Sequence, residues 1–430
     1  MNDLINCGEP IADFLNDTCS CSSLDKDRLN EWPSKSVRNR MNPILVDRFY
    51  SETPSFINLS EVQRIKEILH SVRSVLRLPS IRSEFLKSYP EEIRTRNCEG
   101  GVFLSLDFHR TLDGPKLIEI NTNAGGAFLQ FKLMTAQIRC CQAVDLALPT
   151  LDDLKGLTEA FFSIFIEEWS ANGYSQMPRV IAIVDNDPEA QFLYSEFLMF
   201  RDLFQSKGID CFILSPEQLD RRNGGLYFED RKIDLIYNRL TDFHLSDPEC
   251  AHLYAAWSNK EVVLTPNPMD YDLFARKSNL VFLSDSTFLK SAGLDKHSLE
   301  ILEKSIPKTS FVDREKSIEI WNRRKSLFFK PEKGFGSKAA YNGGKLTKGK
   351  YNEILNGDYI CQEFVPPSVR TTSISGTKIG MKMDIRAYIY KNEILLFASR
   401  LYQGQTTNFS TQGGGFSPLY VIPDIIQKLN

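Results

Sequence analysis

GVFLSLDFHRTLDGPKLIEINTNAGG, residues 101–126, reads as two β-forming runs around a turn. Val102 to Phe108 is rich in β-formers, and Asp113-Gly114 signals a turn before a short apolar run from Leu117 to Asn121. Alternate residues of a strand share a face, so Glu119 and Asn121 project together while Ile118 and Ile120 pack behind them. For Asp107 to join that face it must lie across from residue 119 or 121. The spacing therefore predicts a three- or five-residue loop, most simply a type I turn with Gly114 left-handed in a G1 bulge. Two carboxylates and a carboxamide are hard oxygen donors, and Asp107, Glu119 and Asn121 suit Mg²⁺ that keeps some waters and shares phosphate oxygens. The bland alternative is an edge hairpin with solvated acids.

The chain has 430 residues, enough for two or three domains with sizeable cores, and 42% hydrophobic with 25% charged residues is globular composition. A net charge of −3 argues against a nucleic-acid footprint and leaves open local basic patches, which would suit a phosphorylated ligand. No apolar run reaches a membrane span, and Met1-Asn2-Asp3-Leu4-Ile5 does not look secretory. Nine scattered cysteines suit reduced thiols in a cytoplasmic protein. Cys19-Ser20-Cys21 lacks the partners for a zinc site. His109 shares the Asp107 face, bordering the site or simply meeting a polar neighbour at a strand end.

Residues 1 to about 55 are polar, with Trp32-Pro33 and Asn42-Pro43 as breaks. Val62, Ile65, Ile68, Leu69, Val72, Val75 and Leu76 recur at helical spacing behind a cap at Asn58 to Glu61. Further helices are predicted over Ile81–Ile93 and Ala127–Cys141, with a boundary near Ala147 to Asp153. A helix around Thr158–Trp169 precedes a buried strand Arg179–Asp185, a helix Gln191–Lys207 stopped by Gly208, and strands at Cys211–Leu214 and Ile233–Tyr237. This is a βαβ half-sheet without a G-x-G-x-x-G dinucleotide fingerprint after its first strand. Arg239, at the carboxyl end of its last strand, clamps an anionic group or forms a surface ion pair.

From about Asn267 the signals change. Ser326–Lys330 is a strand ending in a lysine, followed by the Gly-rich Glu332–Lys338, whose backbone can approach phosphate oxygens. A plain Gly turn is the alternative, and no complete Walker loop occurs. Tyr359–Val365 is an apolar strand running into Pro366-Pro367, either a core strand or a hinge that can bind an adenine edge. Met381–Tyr390 alternates, with Lys382, Asp384 and Arg386 on one face, and Ile394–Arg400 adds Arg400 before a Gly-rich tract containing Asn408. Such cations are expensive to bury unless anions meet them.

Taken together, these residues resemble the ATP-grasp ligases. The resemblance rests on Lys330, Gly334-Phe335-Gly336-Ser337, the hinge Gln362-Glu363-Phe364-Val365, Asp384-Ile385-Arg386, Arg400, and Asp107 with Glu119-Ile120-Asn121; Lys277 fits the family's earlier phosphate-binding lysine. Arg400 through Asn408 to Gly415 looks like the glutathione synthetase type. The metal hairpin usually follows those strands and here precedes them, a circular permutation similar to that of glutathionylspermidine synthetase. An uncharacterised bacterial ATP-grasp-like group shares the Glu119–Gly126 and Tyr402–Phe409 tracts.

The resemblance implies an α/β fold, α+β in part: a circularly permuted ATP-grasp fold with a Rossmann-like domain before it. Residues 1–55 are then a polar N-terminal extension, 56–150 helices plus the metal hairpin, 151–268 the Rossmann-like domain and 269–430 the nucleotide-binding region. It implies ATP and two Mg²⁺, with Lys277, Lys330, Gly334, Gly336, Ser337, Gln362, Glu363, Val365, Asp384 and Asn408 on ATP. Arg386 and Arg400 are catalytic, and Arg239 and Asn123 touch substrate. The implied reaction is carboxylate-amine ligation through an acylphosphate on small-molecule substrates, without nucleic acid or membrane. A small-molecule kinase and a silent nucleotide-binding regulator remain open, as does the oligomeric state, a homodimer included.

Overall fold

Residues 104–111 alternate Leu106 and Phe108 with Ser105, Asp107 and His109, and that period of two gives a strand one apolar and one polar face. The computed structural model describes residues 11–19, 21–31, 49–138, 148–334, 339–374, 376–405 and 411–424. It is a mixed helix and sheet fold. A short strand β1 (Ser55–Asn58) leads into the helix Leu59–Leu76, where the Glu61 carboxylate accepts the Asn58 N–H at 3.0 Å as the expected cap. Val62, Ile65, Ile68, Leu69, Val72, Val75 and Leu76 are buried, as their spacing predicts. The helix expected over 81–93 is instead two short ones, Pro79–Phe85 and Glu91–Arg94, because Pro90 has no N–H to continue the first.

The hairpin is β2 (Leu104–Thr111) and β3 (Gly114–Asn121), and Asp107 stands opposite Glu119 as the spacing requires. The route to that register differs from the expectation. Pairing closes at Thr111 and Gly114, so the loop is the two residues Leu112 and Asp113, with Gly114 at φ 99°. The parity is restored farther down, where the register shifts between Asp107 and Phe108 and leaves Ile118 as a bulged extra residue. The bulge makes Leu117 and Ile120 the buried pair on this strand, while Ile118 is only half-buried. The following helix covers Ala127–Thr135, and residues 139–141 of the predicted one lie outside the described residues.

Next come the helix Leu151–Ala171, β4 (Val180–Val184), the helix Tyr194–Ser206 and β5 (Asp210–Leu214). A small antiparallel meander, β6 (Asp220–Arg222), β7 (Gly225–Phe228) and β8 (Arg231–Ile233), then inserts before β9 (Leu235–Asn238) and β10 (Val263–Thr265). The parallel sheet has the order β10-β9-β4-β5. Its predicted strand at 233–237 is thus split between the meander and β9. Phe103, Phe128, Phe161, Phe165, Phe200 and Tyr237 pack as one aromatic cluster between this sheet and the hairpin.

The remaining strands form two antiparallel sheets. One is β11 (Thr309–Phe311), β12 (Leu327–Pro331), β13 (Tyr341–Asn342) and β14 (Tyr359–Glu363), ordered β11-β14-β12-β13. The other contains β15 (Ser368–Ile374), β16 (Thr377–Tyr390), β17 (Glu393–Tyr402) and β18 (Gly415–Ser417), with the early hairpin built into it in the order β18-β17-β16-β2-β3. Leu104, Leu106, Phe108, Ile385, Ala387 and Ile389 form its apolar face, in one core with the helix Leu59–Leu76. The last strand, β19 (Leu419–Ile422), pairs in parallel with β1. Among the described residues, no helix is long and apolar enough to cross a membrane.

Residues 11–19 and 21–31 pack into this body. Arg370 on β15 has no exposed surface, and its guanidinium donates to the carbonyls of Pro54 (2.6 Å), Asn16 (2.8 Å) and Cys19 (2.7 Å). Arg370→Met should lower unfolding stability by about 3 kcal/mol, since it leaves buried carbonyls without donors. Urea denaturation that moves by less than about 1 kcal/mol would show that the N-terminal segment is held by other contacts.

Candidate functional site

Asp107 is buried, 2% exposed, in the middle of the polar face of the large sheet. Arg386, its direct cross-strand neighbour, donates from Nε and Nη2 at 2.7 Å each, and Arg400 donates from Nη2 at 2.9 Å. Arg400 Nε also bonds Asp384 at 2.7 Å, and Asn121 Nδ2 reaches Asp107 at 3.3 Å. Burial alone would raise the Asp107 carboxyl, but the two arginines overcome it and hold it far below the usual carboxylate range. Burial likewise opposes the charge on Arg400, and Asp107 with Asp384 reverses that. Alternation puts Asp384 and Arg386 on one face, as the sequence predicts, and the pairing of β16 with β2 and β17 brings Asp107 and Arg400 to the same face.

The second half of the site joins the hairpin to β12 and β14. Lys330, 7% exposed at the end of β12, donates to the Ile118 carbonyl at 2.6 Å and to Gln362 Oε1 at 2.9 Å. The bulge frees the carbonyl that the lysine takes. Burial lowers the Lys330 ammonium to about 8, with Glu119 pulling the other way and Lys277 adding to the fall. Lys277 Nζ lies 3.6 Å from Glu119 and bonds the Gly334 carbonyl at 2.7 Å, which brings the start of the Gly-rich segment to the same place. Gln362 faces inward between Lys330 and Thr309 Oγ1, Glu363 is exposed, and the Val365 carbonyl meets His109 Nδ1 at 2.7 Å. His109 is thus a buried link from the hairpin to the hinge, with its basicity lowered by burial. Gly336, Ser337 and Asn408 lie outside the described residues.

The loop after β3 connects this site to the parallel sheet. Glu196 accepts the N–H groups of Gly126 at 2.9 Å and Phe128 at 2.9 Å, capping the helix Ala127–Thr135 with a carboxylate at its positive end. Tyr388 Oη donates to the Gly125 carbonyl at 2.7 Å. Gly126 has φ 97°, and a side chain there would collide with Phe416 and Tyr388. Arg239 is buried and forms no surface ion pair. Its Nη1 donates to the Asn123 carbonyl at 3.0 Å, while Asn123 Nδ2 donates to the Leu240 carbonyl at 2.7 Å. Both residues expected to touch substrate therefore brace this loop. Glu196 and Tyr388 had no sequence signal, because each acts by meeting a backbone atom far along the chain.

For a hard cation, Glu119 and Asn121 are suitable oxygen donors on one face, and Asp107 beside them is ionised but shared with two guanidinium groups. A cation there competes with Arg386 and Arg400 for Asp107. Among the described residues, no group of three or more His, Cys, Asp or Glu is arranged to hold a metal ion.

No family model matches the chain, and no curated protein matches it. Among solved structures it is similar to a glutathione synthetase-like effector from Globodera pallida, at TM-score 0.54 and 15% identity over 87% of this chain and 90% of that one. A gamma-glutamylcysteine synthetase candidate from Methylobacillus flagellatus aligns at TM-score 0.47 and 12% identity over 84% of this chain and 87% of that one. The ATP-grasp ligase PsnB, complexed with precursor peptide PsnA2 and AMPPNP, aligns at TM-score 0.29 and 12% identity over 58% of this chain and 90% of that one. Only the first likeness is close enough to argue from, and it concerns the fold. The chain shares the fold of that glutathione synthetase-like structure, in agreement with the ATP-grasp fold that the sequence motifs imply.

Asp107→Asn should destabilise the protein by about 3–5 kcal/mol, because it leaves Arg386 and Arg400 buried without their shared counter-charge. The stability contributed by Asp107 is complete above its unfolded pKa of about 3.9 and is lost as pH falls below it. Denaturant midpoints of the two proteins at pH 7 and pH 3 test this: the gap should narrow at pH 3, and an equal gap at both pH values would count against the pairing.

Proposed function

We propose that the protein is an ATP-dependent carboxylate-amine ligase with a circularly permuted ATP-grasp fold. The observation that carries this reading is the convergence of Lys277 on Glu119 at 3.6 Å and of Lys330 on the bulge carbonyl of Ile118 at 2.6 Å. Two lysines at one pair of oxygen donors suit a triphosphate, and the arginines 386 and 400 stand across the same sheet face. Placing the early hairpin between β16 and the sheet edge supports a permuted order of the family's strands.

In this reading Lys277 and Lys330 neutralise phosphate charge while a substrate carboxylate attacks the γ-phosphate. Glu119 and Asn121 with Asp107 would hold Mg²⁺, whose chemistry there would be further neutralisation of phosphate charge. Arg386 and Arg400 stabilise the tetrahedral oxyanion when an amine displaces phosphate from the acylphosphate. Amino acids or short peptides are the substrate class.

ADP release from Mg-ATP, screened against amino acids, short peptides and polyamines with mass analysis of products, tests the reading. A product formed with loss of water supports the ligase, whereas a product that gains phosphate makes the protein a kinase. Glu119→Ala should abolish ADP release, and full activity in that variant would remove Glu119 from the site. ATP binding should also draw a proton onto Lys330 above pH 8. Calorimetry at pH 8.5 in buffers of different ionisation enthalpy should show net proton uptake; no dependence on buffer would mean that Lys330 does not meet the phosphates.

A further inference from the structure

The loop that follows the carboxyl end of β9 carries His244, and the imidazole Nε2 lies 3.0 Å from Asp272 Oδ1. Asp272 is buried, and its other oxygen accepts from Tyr89 Oη at 2.7 Å. A carboxylate only accepts, so Nε2 carries the hydrogen and Nδ1 is left as the basic nitrogen. The His244 side chain is 42% exposed while that of Asp272 is 3% exposed, so a buried acid orients an accessible base. The Tyr271 ring, stacked on Phe243 at 4.2 Å, meets the His244 ring edge-on at 5.3 Å and fixes its plane.

Arg276 joins this dyad to the site described above. Arg276 Nε lies 3.8 Å from Asp272 and its Nη2 bonds Glu332 at 2.7 Å, at the start of the Gly-rich segment. Lys277 is the next residue and reaches Glu119. The charged and titratable groups around His244 are Asp272, Tyr271, Tyr89 and Arg276, together with Asp242, whose carboxylate is turned to Ser246 and Asp247 of its own loop. The carboxyl end of a parallel strand is also where open α/β sheets take ligands.

On the ligase reading above, an amine reaches the site as an ammonium ion and has no lone pair until it loses a proton. We propose that His244, oriented by Asp272, is the catalytic base that takes this proton. His244 Nδ1 accepts one proton from the ammonium and becomes imidazolium. The freed amine nitrogen forms the C–N bond to the acyl carbon, the C–O bond to phosphate breaks, and the second nitrogen proton leaves on the phosphate as HPO₄²⁻. No oxidant or further reactant is needed.

Hydroxylamine separates this step from the one before it, because it is unprotonated near neutral pH and captures an acylphosphate without a base. The full-length protein and His244→Gln are each given Mg-ATP and an equimolar pool of the twenty amino acids at pH 7, with and without hydroxylamine. Amide and hydroxamate are then quantified by mass. The ratio of amide to hydroxamate should fall about 100-fold in the variant, the usual size of a general-base contribution. Its amide-forming rate should keep climbing with pH after the parent protein has levelled off. Asp272→Asn, which favours the wrong tautomer, should lower the same ratio. An unchanged ratio and pH profile in His244→Gln would overturn the base while leaving the ligase standing. Absence of hydroxamate from the parent protein would overturn the acylphosphate itself, and the base with it.

Discussion

One buried carboxylate joins the two ends of the chain. Asp107 lies on a hairpin read early in the sequence, and the guanidinium groups that neutralise it lie 279 and 293 residues later on β16 and β17. None of the three charges is affordable alone at this depth, since each would keep a desolvation penalty of several kcal/mol. Together they specify that the hairpin adds to β16 and to no other edge, and they fix the register, because a shift of one residue would turn Asp107 to the apolar face. The hydrophobic face of the same sheet supplies most of the stabilisation; the ion cluster supplies the choice of partner.

Much of this was legible in the sequence because it depends on local periodicity. The alternation at residues 104–108 and 381–388 places charged residues on one face whatever the partner strand, so Asp107 could be grouped with Glu119 and Asn121, and Lys382 with Asp384 and Arg386, but not the first set with the second, because the pairing of β2 with β16 has no local signal. The helix Leu59–Leu76 follows from its apolar spacing and its Asn58–Glu61 start in the same way. The hairpin shows where such reasoning stops. Parity demanded that Asp107 oppose Glu119, but a loop insertion and a strand bulge satisfy that demand equally, and the bulge at Ile118 depends on Lys330, 212 residues away.

Residues that act on backbone atoms of distant segments left no pattern to read. Glu196 sits among apolar neighbours on a helix and looks like an ordinary polar position, yet it caps a different helix. Arg239 could be singled out by its place after β9, but its bond to the Asn123 carbonyl could not, because that acceptor is a backbone atom 116 residues away. His244 and Asp272 were passed over for a related reason. They stand on two elements that approach only once the parallel sheet and the helices after it have folded, and neither belongs to a recurrent spacing.

The bulge does more than settle parity. In a regular ladder the Ile118 carbonyl would be spent on β2, and Lys330 would have to find another acceptor or stay neutral in its buried position. An ammonium group has three donors, and the structure commits two of them, to Ile118 and to Gln362 Oε1. The two fixed bonds mean that little side-chain entropy remains to be lost in any further contact of the ammonium. The same two bonds tie β12 to both β14 and the hairpin. Any shift of the hairpin that moves Glu119 must also move the Ile118 carbonyl that holds Lys330, so Glu119 and the lysine are held as one rigid unit.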